Sequence, residues 1–98
     1  MPMYIVQESR IHGKGLFASC TIAEGTVIGQ LEGHPTTEDG PHVLWISDEQ
    51  GIQGYNDIRY VNHNKFANAC YLDDASLIAI RDITEGEEIT HDYGDDWE

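Results

Sequence analysis

The stretch Arg81-Asp82-Ile83-Thr84-Glu85-Gly86-Glu87-Glu88-Ile89-Thr90-His91-Asp92-Tyr93 decides the fold. A Glu-Gly pair stands between two β-prone flanks. Glycine adopts a positive φ at little steric cost, so the pair reads as a turn joining strands. The pattern Ile-x-Glu-Gly-x-x-Ile also occurs 61 residues earlier, in Thr21-Ile22-Ala23-Glu24-Gly25-Thr26-Val27-Ile28. It reads as an unrelated turn of similar chemistry rather than a trace of duplication. Two matching turns are thereby set in a β-rich frame.

Outward from these turns the strand signals are short. Tyr4-Ile5-Val6, Leu16-Phe17-Ala18, Thr26 to Leu31, His42 to Ile46 and Leu77 to Ile80 are β-prone, the last read as a buried strand. Gly33 to Pro41 holds two glycines and two prolines and reads as a loop. Ser47 to Gly51 and Asp73-Asp74 read as turns. No window carries a helical period; Asn62 to Asn68 has room for one helical or 3₁₀ turn. The expected fold is mostly β, built from many short strands.

A chain of 98 residues is expected to form one domain, residues 1–98, with an acidic tail at 95–98. No apolar run is longer than four residues, as in Leu77 to Ile80, which is far too short to span a membrane, and the N-terminal residues include no signal-peptide core. Eighteen acids against five bases give a formal net charge of −13. Nucleic acid is not expected as a direct partner, because phosphate contacts need clustered Lys and Arg. An acidic surface attracts basic peptides or proteins, although it also serves simple solubility. Cys20 and Cys70 are too few for a disulfide scaffold and lack zinc spacing. His12, His63 and His91 also lack ligand spacing, so no metal is expected. Reduced thiols and the missing leader make the cytoplasm the expected location.

Three constellations are able to carry chemistry. Gly13-Lys14-Gly15-Leu16-Phe17 is either a tight turn or a place where backbone approaches a ligand closely. Arg59-Tyr60-Val61-Asn62-His63-Asn64-Lys65-Phe66-Ala67-Asn68 gathers three Asn and a His, which either fix turns or grip a zwitterionic ligand. In Glu87 to Gly94, Tyr93 either packs in the core or presents its phenol to a substrate. No GxSxG or Cys-His-Asn arrangement for nucleophilic catalysis accompanies them.

In this order, Gly-x-Gly, then Arg-aromatic-aliphatic-Asn-His, then Arg81 to Tyr93, the chain resembles the SET-domain protein lysine methyltransferases over about residues 4–94. The resemblance implies a minimal SET domain: a β-clip-like fold of short curved sheets with a C-terminal pseudoknot and one or two short helical or 3₁₀ turns. It implies S-adenosyl-L-methionine as cofactor. The cofactor would be held by Lys14, Gly15 and Leu16, by Arg59, by Asn62 and His63, and by Trp97 over the adenine. Tyr93 would be the catalytic tyrosine. The implied reaction is methyl transfer to a lysine of a protein, with a basic protein or peptide as the expected substrate.

Several positions depart from the family pattern. Leu31 stands where the family has a pocket tyrosine, and His91 where it has a Phe or Tyr that influences the number of methyl groups added. Both are expected to line the substrate channel. Asn64-Lys65 replaces Ser-Cys, and Ala67 replaces Pro. The Gly33 to Asn56 stretch is short where the family inserts a substrate-recognition subdomain, and no Cys-rich zinc segment flanks the core. The alternative reading is a SET-like module that binds protein or cofactor without turnover.

Overall fold

In the computed structural model, residues 3–11, 13–38, 43–45 and 50–92 are described. Among them the strands are β1 (Tyr4–Glu8), β2 (Lys14–Ala18), β3 (Val27–Gln30), β4 (Gly33–Thr36), β5 (Val43–Trp45), β6 (Gly51–Gly54), β7 (Asn62–His63), β8 (Ala69–Tyr71), β9 (Ser76–Ala79) and β10 (Glu88–His91). A 3₁₀ helix covers Asp57–Tyr60. The larger sheet runs β1-β2-β10-β8-β9-β3, with β7 also on β10; the smaller runs β4-β6-β5. The strand-dominated frame expected from sequence is the one found.

The two Glu-Gly turns pair with each other. Ile22 and Ile83 form a two-way antiparallel bridge, each N–H 2.8 Å from the other's carbonyl. Gly25 and Gly86 adopt φ of 87° and 89°, and each turn closes with a bond across it, Thr26 N to Ala23 O at 3.1 Å and Glu87 N to Thr84 O at 2.9 Å. Gly25 N donates to Ala79 O and Gly86 N to Ala18 O, both at 2.8 Å. Ala79 N donates to Thr26 O at 3.0 Å and Ala18 N to Glu87 O at 2.9 Å. Every partner on one side is thus the partner on the other displaced by 61 residues, a local twofold. A bulge between Val27 and Gly29 breaks it on the β3–β9 side. The β2–β10 side keeps regular register, Glu88 opposite Phe17 and Ile89 opposite Leu16.

The core gathers around this twofold. Leu16, Ile22, Leu77, Ile83 and Ile89 are fully buried, and Ile58 of the 3₁₀ helix joins them. Burial of each such side chain is worth roughly 1.5–3 kcal/mol. β9 alternates, with Leu77 and Ala79 inward, so Ile80 ends 47% exposed instead of belonging to a fully buried strand.

His91 pairs with His63 of β7 and with Ala69 of β8, both in parallel. A strand residue has only two edges, so β10 passes between these partners. The segment joining β7 to β8 therefore crosses over β10, and the C-terminal strand is threaded through it. That is the expected pseudoknot. Asn68, 1% exposed, clips the crossing: its Nδ2 donates to Glu88 O at 2.8 Å, and Thr90 N donates to its Oδ1 at 2.9 Å.

Three local expectations are corrected. Gly33 to Thr36 is the strand β4 rather than loop, paired with β6, which begins at Gly51, a residue expected in the preceding turn. Glycine permits this close pairing, since a Cβ at Gly33 would overlap the Gln53 carbonyl; Pro35 is tolerated because β4 is an edge strand. The helical turn lies at Asp57–Tyr60, not within Asn62 to Asn68, because Asn62 and His63 are drawn into pairing with β10. Val43–Trp45 is a strand as expected; His42 and Ile46 lie outside the described residues.

Candidate functional site

The site forms where β2 begins, β7 ends and β10 is threaded. The carboxylate of Glu88 is its centre. Ser9 Oγ donates to Glu88 Oε1 and Oε2 at 2.8 and 2.9 Å, and Asn62 Nδ2 donates to Oε2 at 2.9 Å. Asn62 Nδ2 also donates to the Lys14 carbonyl at 3.1 Å. Gly15 makes room for this cluster, because a Cβ there would overlap the Glu88 carboxylate. The glycine read as an opening for a ligand is approached first by a carboxylate of its own chain. Lys14, Gly15 and Asn62 are thereby brought together, and Glu88 and Ser9 are the members that sequence reasoning missed.

Alternation separates the two adjacent glutamates, since neighbours on a strand face opposite ways. Glu87 turns to structural partners: Thr84 N at 3.1 Å, Arg81 Nη2 at 2.9 Å and Asn68 Nδ2 at 3.2 Å. Burial opposes its ionisation, yet these donors outweigh burial and hold its carboxyl below the ordinary value of 4.5. Glu88 turns to the site. This division was open to a reading of the Glu-Glu pair as the start of a strand.

Past the carboxylate, His63 and His91 stand in register. His63 Nδ1 lies 3.8 Å from Asp92 Oδ1. The His91 ring meets the Tyr71 ring edge-on at 4.9 Å, and the Tyr71 hydroxyl donates to the Ile58 carbonyl at 3.0 Å. Burial chiefly, and His63 to a small extent, push the His91 pKa below 6.5; a bond with Ala69 and the charge of Asp92 work the other way without prevailing. His91 is therefore a neutral ring at pH 7. Tyr71 was not singled out in the sequence.

Arg59 belongs to the 3₁₀ helix. Its Nη1 donates to the carbonyls of Tyr55 and Asn56 at 2.8 and 2.9 Å, and its guanidinium lies 4.1 Å from the centre of the Tyr60 ring. The same ring carries Lys14 Nζ at 6.0 Å, so Tyr60 joins two cations beside the site. Leu16 is fully buried in the core, between Val6 of β1 and Ile89 of β10, rather than open to a ligand as expected. Leu31 is 5% exposed and packed in the core, with its N–H on Ala75 O at 2.9 Å; a Cβ on Gly54 would press on its side chain. Tyr93 and Trp97 lie outside the described residues.

A model of the SET domain matches residues 13–94, most of the chain and all of this site except Ser9. The chain belongs to the SET-domain family. Comparison with curated proteins returns no match. SET domains are a methyltransferase-type family, and in this SET domain the Asn62-His63 pair forms β7 and Glu88, directly after Glu87, opens β10. Among the described residues of this SET domain, no group of three or more His, Cys, Asp or Glu side chains forms a metal cluster. No helix among them is long and apolar enough to cross a membrane.

Proposed function

We propose that this SET domain transfers a methyl group from S-adenosyl-L-methionine to a lysine side chain of a basic protein. The observation that carries the reading is the convergence of Gly15 and Asn62 on the Glu88 carboxylate, with the Lys14 carbonyl held by the same Asn62 amide, next in the chain to the paired His63 and His91 strands. The donor set suits the cofactor. Its amino-acid end is a zwitterion, and the site offers a carboxylate and an amide next to a pair of cations gathered on Tyr60. Lys14, Gly15, Arg59, Asn62, His63 and Trp97 would hold it, Leu16 being buried in the core. When bound, the cofactor supplies an electrophilic methyl group on a positive sulfur.

The chain's own contribution is alignment and desolvation. A lysine amine with a pKa of about 10.4 must lose a proton before it reacts. Apolar surroundings favour the neutral amine, and a neutral His91 adds no positive charge to oppose its approach. Tyr93 would orient the amine through its hydroxyl, a positioning effect worth several kcal/mol. The region from Glu85 to Glu98 carries seven carboxylates and no Lys or Arg, which favours encounter with a basic segment.

The test combines calorimetric titration of S-adenosyl-L-methionine with methyl transfer to basic proteins by wild type and Tyr93→Phe. Binding plus transfer that collapses in Tyr93→Phe is expected. Transfer unaffected by Tyr93→Phe would remove the catalytic assignment. The core position of Leu31, where the family carries a tyrosine, favours a second reading as a binding module. Cofactor binding without transfer to any basic protein would establish that reading instead.

A further inference from the structure

Resting on the methyltransferase reading, we propose that Glu88 is a positioning residue that sets the orientation of the Asn62 amide, so that its oxygen faces the ammonium end of the cofactor. The Asn62 amide nitrogen has two hydrogens. Glu88 Oε2 at 2.9 Å and Lys14 O at 3.1 Å accept both. Turned the other way, the amide would place its oxygen against a carboxylate and a carbonyl. The amide is therefore held one way round, with Oδ1 on the side away from Glu88.

The carboxylate is itself held. Ser9 donates to both of its oxygens, and Ser9 is fixed by a bond from its N–H to Gly13 O at 2.7 Å. Gly15 leaves the space it occupies. The loop before β2, the start of β2, β7 and β10 thus meet on one side chain. A neutral Gln at 88 could offer Asn62 either a donor or an acceptor, which releases the constraint. The consequence is selective: recognition of an ammonium weakens, while recognition of the nucleoside part, away from this amide, does not.

The experiment is calorimetric titration of the whole chain with S-adenosylhomocysteine, which has the ammonium, and 5′-methylthioadenosine, which lacks the amino-acid end. Glu88→Gln is expected to weaken S-adenosylhomocysteine roughly tenfold or more, the scale of one charge-assisted hydrogen bond, and to leave methylthioadenosine unchanged. Asn62→Ala should do the same, and the double variant should be no worse than either single one. Equal weakening of both nucleosides, or additive losses in the double variant, would overturn the proposal. If Glu88→Gln fails to fold, Ser9→Ala, at a partly exposed position, must show the same selectivity in smaller degree. A wild-type chain that binds neither nucleoside sinks the methyltransferase reading and this proposal with it. Tight wild-type binding with unselective variants sinks the proposal alone.

Discussion

Removal of the Asn68 side chain should release the threaded strand. Asn68 is 1% exposed and makes three side-chain bonds: to Glu88 O at 2.8 Å, to Glu87 Oε2 at 3.2 Å and from Thr90 N at 2.9 Å. In Asn68→Ala the Thr90 N–H and the Glu88 carbonyl lose these partners, at about 1–3 kcal/mol for each buried group left unpaired. The expected loss is about 3–5 kcal/mol, against a total stability of about 5–15 kcal/mol for a small domain. At roughly 4–8 °C per kcal/mol the melting temperature should fall by at least about 12 °C. Urea unfolding followed by circular dichroism measures it. Asn68→Asp separates hydrogen bonding from packing. It keeps the acceptor for Thr90, loses both donations and sets a second carboxylate against Glu87. It should match Ala at neutral pH and recover partly near pH 4, where the new carboxyl takes up a proton. A loss below about 1 kcal/mol in Asn68→Ala, the net worth of an ordinary hydrogen bond, would show that this amide does not hold the crossing.

The remaining predictions concern protons and turns. Because the folded pKa of Glu87 lies below 4.5, its contribution is present above that value and is lost as pH falls through the folded pKa. Glu87→Gln should flatten the acid limb of the stability curve, read by urea midpoints from pH 6 to 3. His91 also has a lowered folded pKa, so as pH falls below 6.5 the unfolded chain takes the proton first and the fold loses stability. His91→Phe should remove that loss, and NMR titration of the ring should give a midpoint below 6.5. Gly25→Ala and Gly86→Ala should each cost about 1–2 kcal/mol from backbone strain alone, because both φ are positive and a Cβ at either site meets nothing within 4 Å. Near-equal losses in thermal melts are expected from the local twofold; a severalfold difference would contradict it.

Much of the frame was legible in residues close together in the chain. The turns at Glu24-Gly25, Glu85-Gly86 and Asp73-Asp74, and the strands around Ile5, Phe17, Ile28, Leu44 and Ile78, follow from turn chemistry and β propensity over a few residues. The order of Gly-x-Gly, Asn62-His63 and Arg81 to Tyr93 was enough for the family, which the match over residues 13–94 then showed. Tertiary structure decided what those pieces do to one another. Ile22 and Ile83 are joined across 61 residues, and Ser9 reaches Glu88 across 79. β4 became a strand because β6 offered it a partner, and Asn62 left any helical turn because β10 did the same. The two glutamates at 87 and 88 have identical chemistry in the chain. Only the threading of β10 gave one to Arg81 and Asn68, and the other to Ser9 and Asn62. Local propensity acts over a few residues, whereas hydrogen bonds between distant segments exist only once the sheet has closed around them.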